Sequence, residues 1–420
     1  MHKTSPPPQP GTVLKNLYMK PSKLSTTNLA KQLNVTPKTI SDVINNRARI
    51  TLDHNQKLPS LFKNKQKADL LIGCTPLYPP VELFAAMGLQ PVVLWNLKSL
   101  ITNLNEADLY VQSYTCGIAR ELVQFILSDS GKFLDGIFTY NACDTIRNLP
   151  EIIAAGNQKK KRKLPILRMH VPQANRAYTN SNQYIKDQIA SLIENIQTAF
   201  NLSFSGLQFE QTVSAYQKMR ELCVKAERMV AENALSFRAF SNKVLSNSFL
   251  PVDEQIQRLN QLITNPAAPQ NVLDRRVMIS GIMPPPQNVI RSIEESGLRV
   301  VANDIAVMGR SYSYSPQITA DPQEYYLDFF NNRFPCTTLL YQTDVRLKTF
   351  FQMVEKSHVE GVIFSGEKFC EYEYLEFPYI EQKLKDMGIP VLNLEFSVDD
   401  SQNVESYITR VHAFSEMLNK

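Results

Sequence analysis

At 420 residues the chain is long enough for two or three domains, each able to bury its own core. Apolar content of 43% and charged content of 20% are those of a folded protein; no apolar run approaches a membrane span, and the start, MHKTSPPPQPGTV, lacks the apolar centre of a secretory signal. The expected compartment is the cytoplasm. The net charge of +5 hides a division, because residues 1–67 carry 12 Lys and Arg against Asp42 and Asp53, which leaves a mildly acidic body.

In that basic head, TTNLAKQLNVTPKTISDVINNRARIT predicts two short helices around a tight turn. Leu29, Ala30 and Leu33 share one helical face, Asn34 suits the left-handed turn, and Thr36 with Pro37 opens the second helix as N-cap and first residue. Ile40, Val43 and Ile44 then face inward, leaving Lys38, Thr39, Ser41, Asp42 and Asn45 outward, as a recognition helix presents itself to base edges. The head resembles the XRE-type antitoxin regulators, which implies DNA contact through residues 26–50; a helical cap that never touches DNA uses the same packing pattern. Pro59, in KLPSLFKNK, departs from the pattern by interrupting the next helix, and with it the expected dimerisation element.

After residue 67 the pattern changes. ADLLIG, the helix PVELFAAMG ended by Gly88, and PVVLW read as strand, helix, strand; FLDGIFTY (133–140) and LPILRMHVP (164–172) add two more strands. Residues 176–265 read as helical. A second α/β unit opens at RRVMISG, with a strand over 276–281, and continues through RVVAND and the strand–loop–helix–strand of VEGVIFSGEKFCEYEYLEFPYIEQKLKDMGIPVLNLEF. The expected class is α/β: two doubly wound parallel-sheet domains (67–175 and 270–420) joined by a helical segment (176–269), plus a small all-α helix-turn-helix domain (1–66). Ligands in such folds bind in the crevice at the carboxyl ends of the strands.

The six cysteines, Cys74, Cys116, Cys143, Cys223, Cys336 and Cys370, are too dispersed for a disulfide scaffold. Cys74, Cys143 and Cys370 follow strands, and Cys116 precedes a helix, so loops from two sheets would aim them at one cleft. Cys223, inside a helical run, reads as core. Without a C-x-x-C pair, spacing alone favours small buried hydrophobes over ligands.

The blocks GCTPLYPPVELFAAMGLQPVVLW, YTCGIAREL, FLDGIFTYNACDTIRNLPE, ILRMHVPQ and VEGVIFSGEKFCEYEYLEFPYIEQKLKDMGIPVLNLE, in that order over residues 68–420, resemble the 2-hydroxyacyl-CoA dehydratase family, which also contains subunits of ATP-dependent benzoyl-CoA reductase. The resemblance implies a [4Fe–4S] cluster held by Cys116, Cys143 and Cys370, with a fourth iron open to the hydroxyl or thioester carbonyl of a 2-hydroxyacyl-CoA. It implies a lyase reaction in which one injected electron makes a ketyl radical that expels hydroxide, the electron then being returned. It also implies two protein partners: a related subunit as the other half of a homo- or heterodimer, and an ATP-hydrolysing iron–sulfur activator. The absence of G-x-x-x-x-G-K-[ST] agrees with ATP being handled elsewhere. By the same likeness, Asp144 is expected to cap the helix after Cys143 and, with Arg147, to tune the cluster, although the pair's helical spacing also suits a plain salt bridge. Glu82 matches a P-x-E-L block, with stabilisation of a helix start as its simpler role. Tyr114 and Tyr140 flank two of the cysteines and could shape the pocket, while His170 reads as a core histidine. Cys74 and Cys336 are left as further ligand candidates, and Ile282 stands where some members carry a thiol. Two alternatives stay open: a benzoyl-CoA-type reductase subunit, and a DNA-binding regulator whose body senses redox state or an acyl-CoA.

Overall fold

The computed structural model describes residues 70–419 apart from 96, 102, 174–178, 270–273, 339–342 and 398–403, together with 25–27 and 41. The chain divides into two compact units, residues 1–66 and 67–420. In the first unit Thr26, Thr27 and Ser41 are helical; the rest of the helix-turn-helix expected over 26–50 lies outside the described residues.

The second unit starts with β1 (Leu70–Cys74), α1 (Val81–Ala86), β2 (Leu89–Val93), α2 (Gly117–Leu127), β3 (Gly136–Tyr140), α3 (Asp144–Lys159) and β4 (Ile166–Met169). These strands form one parallel sheet in the order β2-β1-β3-β4, with Ile72 opposite Gly136 and Tyr140 opposite Met169. The central strands LLIGC and GIFTY are nearly all apolar because helices cover both faces of such a sheet. The chain then runs through α4 (Thr179–Phe200), α5 (Gly206–Ala231), α6 (Phe237–Asn247) and α7 (Val252–Thr264), the helical stretch expected from its composition.

A second half follows: β5 (Arg275–Gly281), α8 (Gln287–Glu295), β6 (Leu298–Ile305), α9 (Gly309–Tyr312), α10 (Pro322–Asn332), α11 (Thr343–Lys356), β7 (Gly361–Glu367), α12 (Glu371–Asp386), β8 (Val391–Phe396) and α13 (Val404–Leu418). Its parallel sheet has the order β6-β5-β7-β8, the same permutation as the first. Met278, Val301, Phe350, Val354, Val362 and Leu384 pack into one core on this sheet. Each such large side chain contributes roughly 1.5–3 kcal/mol by leaving water.

The long helix α5 packs on α1, α7 and β6, tying the halves together. Its Arg220 reaches back to the Glu82 carboxylate at the start of α1, and Glu82 also accepts from the Tyr325 and Tyr326 hydroxyls at 3.2 and 2.9 Å. All four side chains are buried, so the pair is viable only because the carboxylate is ringed by donors. Among the described residues no helix is long and apolar enough to cross a membrane.

Candidate functional site

Cys143 stands three residues beyond the end of β3 and is the N-cap of α3; Cys370 stands three residues beyond the end of β7 and is the N-cap of α12. Cys116 is the N-cap of α2. In each case a parallel strand or its neighbouring loop delivers a thiol to the amino-terminal end of a helix, where free backbone N–H groups and the helix dipole favour negative charge. The Cys143 sulfur accepts the Ile146 N–H at 3.4 Å. The turn before Cys370 is closed by its own N–H donating to the Glu367 carbonyl at 3.0 Å, and it passes through Phe369 at φ 62°. Left-handed backbone is unfavourable for so bulky a residue, by about 1–2 kcal/mol. Leu77, at φ 84°, is the second such residue beside the site. Strained backbone of this kind collects where side chains must be aimed.

The three cysteines line a single cavity with about 540 Å³ of open space. Its walls are mostly apolar, with Leu77, Trp95, Ile118, Ile282 and Phe369 alongside Thr338 and Tyr372. Gly281 makes the turn that brings Ile282 here: it has φ 155°, and a Cβ would lie 2.2 Å from the Ser365 carbonyl oxygen, so only glycine fits. The halves are joined beside the cavity by Glu367, whose carboxylate accepts the Gly117 N–H at 3.0 Å, at the start of the helix that Cys116 caps.

Burial dominates the electrostatics. It pushes the Cys116 thiol up to about 12, and the charge of Cys143 adds to the rise. Cys143 is raised by burial against the opposing pull of the Ile146 and Thr145 N–H groups. Cys370 is raised well above its ordinary value by burial, with Glu373, Cys116 and Cys143 contributing. Each thiol therefore feels its neighbours, and the side-chain charges that weigh most on all three are negative. Such thiols lose their protons when a metal takes the proton's place. Among the described residues no three His, Cys, Asp or Glu side chains close on a point that would hold one metal ion. A cubane makes a different demand, because each thiolate binds its own iron and the ligands surround a cavity. Three soft donors at helix starts around an apolar cavity fit such a cluster in chemistry and leave one of its irons without a protein thiolate.

The other residues singled out from sequence fall in several places. Asp144 borders the cavity but is not the cap: that position belongs to Cys143, and Asp144, the first helical residue, makes an exposed salt bridge to Arg147 at 3.1 Å. Glu82 sits in the buried ion pair with Arg220 and does not line the cavity. Tyr140 is buried, its hydroxyl accepting the Tyr78 N–H at 3.0 Å, and Tyr114 is 68% exposed; neither lines the cavity. His170 is an exposed residue edge-on to Tyr184, not a core histidine, because β4 ends at Met169 and leaves it in solvent. Cys74 is fully buried in β1 and Cys223 is buried in α5. Cys336 is buried beside Arg310, whose Nη1 lies 3.3 Å from the sulfur. Sequence reasoning passed over Leu77, Trp95, Thr338, Phe369 and Glu367; only the unusual φ angles and the tertiary packing mark them.

Residues 76–418 match the family model described as 2-hydroxyglutaryl-CoA dehydratase, D-component. The chain is 24% identical over 381 residues to the (R)-phenyllactyl-CoA dehydratase beta subunit of Clostridium sporogenes, covering 90% of this chain and 97% of that one. It is 25% identical over 371 residues to the beta subunit of (R)-2-hydroxyglutaryl-CoA dehydratase from Acidaminococcus fermentans, covering 85% and 95%. With one of the subunits of benzoyl-CoA reductase from Thauera aromatica it shares 24% identity over 352 residues, 81% of this chain and 89% of that one.

Proposed function

Because the chain belongs to the 2-hydroxyglutaryl-CoA dehydratase D-component family, we propose that it is the β-type subunit of a 2-hydroxyacyl-CoA dehydratase, with Cys116, Cys143 and Cys370 holding a [4Fe–4S] cluster. The observation that carries this reading is the meeting of the three cysteines, each at a helix start, in one cavity. A cluster bound there supplies one-electron chemistry, and three protein thiolates leave one iron for a further ligand. The chain's own residues set the environment. The three helix starts stabilise negative charge, the Ile146 N–H holds the Cys143 sulfur, and Leu77, Trp95 and Ile282 give the cavity buried apolar walls. A related α-type subunit makes up the rest of the complex, and an ATP-hydrolysing iron–sulfur activator delivers the electron, consistent with the missing phosphate-binding motif in this chain.

The similarity to the benzoyl-CoA reductase relative supports a second reading, a reductase subunit in which the electrons remain in the product. Two measurements decide. Anaerobically purified wild type should carry about four iron and four acid-labile sulfide per chain, and Cys143→Ala should lose most of both. With the α-type subunit and the activator supplied, dehydration of a 2-hydroxyacyl-CoA then supports the lyase, whereas reduction of an aromatic thioester supports the reductase. A folded wild type without iron overturns both.

A further inference from the structure

The three cavity cysteines come from both halves of the unit, Cys116 and Cys143 from the first and Cys370 from the second. A cluster shared between halves needs a fixed distance between their thiols. Resting on the cluster reading above, we propose that Glu367 is a positioning residue: it joins the Cys116 helix start to the Cys370 turn and so sets the spacing of two cluster ligands.

Glu367 ends β7 and is paired across the sheet with Phe396 of β8. Its carbonyl accepts the Cys370 N–H at 3.0 Å, which closes the turn that presents that thiol. Its carboxylate accepts the N–H of Gly117, the residue directly after Cys116, at 3.0 Å. One residue therefore links the two ligands, with a single hydrogen bond on each side. Glu367 is itself held in place: its N–H donates to the Glu373 carboxylate at 3.0 Å, and the Ile282 N–H, from the cavity wall, donates to that carboxylate too. Glu367 is more than a local cap of α2. Caps are ordinarily side chains next to the helix they serve, whereas this acceptor comes from 250 residues along the chain and is 3% exposed. Burying a carboxylate is costly, and a neighbouring cap could not span the halves. Glu367 does not line the cavity, so it acts through the ligands and not on what the cavity holds.

The test compares the full, anaerobically purified wild type with Glu367→Gln, Glu367→Asp and Glu367→Ala. It reads iron per chain, the rate of iron release to a chelator, and thermal unfolding of each iron-free chain. Glu367→Gln keeps the reach and an acceptor oxygen for the Gly117 N–H but loses the charge, whereas Glu367→Asp keeps the charge and falls one methylene short. The expected result is that Glu367→Gln holds its iron as wild type does, while Glu367→Asp and Glu367→Ala release it about ten-fold faster, the usual scale for groups that orient metal ligands. The iron-free Glu367→Asp chain should unfold at the wild-type temperature; if Glu367→Ala fails to fold, the comparison of Glu367→Gln with Glu367→Asp decides. Fast release from Glu367→Gln with slow release from Glu367→Asp overturns the assignment in favour of charge alone. Equal release from every variant, or faster release matched by a lower unfolding temperature of the iron-free chain, overturns it as well. A folded wild type without iron sinks the cluster reading itself.

Discussion

The two halves of the second unit share one strand permutation and treat it differently. In both, the third strand of the half is followed, three residues on, by a cysteine that starts a helix: β3, Cys143 and α3 in the first, β7, Cys370 and α12 in the second. Each of those helices also tolerates one internal proline, Pro150 and Pro378. Elsewhere the halves part. β2 runs out through Val93 and Leu94 to Trp95, an apolar wall of the cysteine cavity, whereas the equivalent β6 carries Asp304, locked between Arg310 and Arg346 at 2.8 and 2.6 Å. The loop that precedes the helix ahead of β3 ends in Cys116; the loop ahead of α11 and β7 carries Cys336. Both halves thus send thiols to one cavity, while the edge strand of the second carries a buried ionic cluster where that of the first leads to an apolar wall.

The largest effect should come from breaking that cluster. Asp304→Ala leaves buried Arg310 with the Cys336 sulfur and buried Arg346 with Glu376 alone, and should cost about 3–5 kcal/mol in denaturant unfolding. Burial works against the Asp304 charge, but the two arginines hold its carboxyl at about 2, below the ordinary 3.8. Its contribution is therefore fully present above the unfolded value and should fade as pH falls from 4 toward 2. An Asp304→Ala protein as stable as wild type at neutral pH would show that the arginines find other partners.

Cys336 sharpens the contrast with the cavity thiols. Burial raises it too, yet Arg310 and Arg333 more than offset that and bring it to about 6. A group whose folded pKa is depressed stabilises the fold above its unfolded value, near 9, and loses that contribution as pH falls through 6. Cys336→Ala should consequently destabilise by about 1–3 kcal/mol at pH 8, by less at pH 6, and should keep its iron. Loss of iron in this variant would instead move Cys336 into the cluster's ligand set. Glu227 gives the opposite sign. Burial raises it to about 7 from 4.5, so it opposes folding once pH passes 4.5, most fully above 7. Glu227→Gln should stabilise by about 1–2 kcal/mol at pH 8 and leave stability at pH 5 nearly unchanged; equal effects at both pH values would mean that packing, not ionisation, governs the site.

The sheets and the strand-end cysteines were legible because both rest on local signals: short apolar runs, Gly88 after α1, and thiols just past strands. Expected and observed edges still differ, 133–140 against Gly136–Tyr140 and 164–172 against Ile166–Met169, since flanking apolar residues pack without joining the ladder. Partners distant in sequence were not legible. Glu82 looked like a helix-start carboxylate until Arg220, 138 residues away, came to meet it. Trp95 and Leu77 carry no motif at all, and become walls only once the loops of both halves close around them. The cap after Cys143 was misread for a local reason: aspartate is the commoner N-cap, yet the chain turns one residue earlier, and the sulfur takes that place.

That misreading leads to the smallest predicted effect. Asp144 and Arg147 bracket one turn of α3 with side chains 61% and 59% exposed, joined at 3.1 Å. Exposed pairs at helical spacing contribute only about 0.3–0.5 kcal/mol, and less in salt. Arg147→Ala should therefore shift unfolding by no more than about 0.5 kcal/mol, a difference that 1 M salt removes, and its iron content should match wild type. The same substitution distinguishes the two roles that the position could play. If Arg147 tuned the cysteine cavity, its removal would change the reduction potential of the iron centre in anaerobic titration while stability stayed constant. An unchanged potential leaves the helix starts and the Ile146 N–H, all backbone, as the groups that set the electrostatics at Cys143.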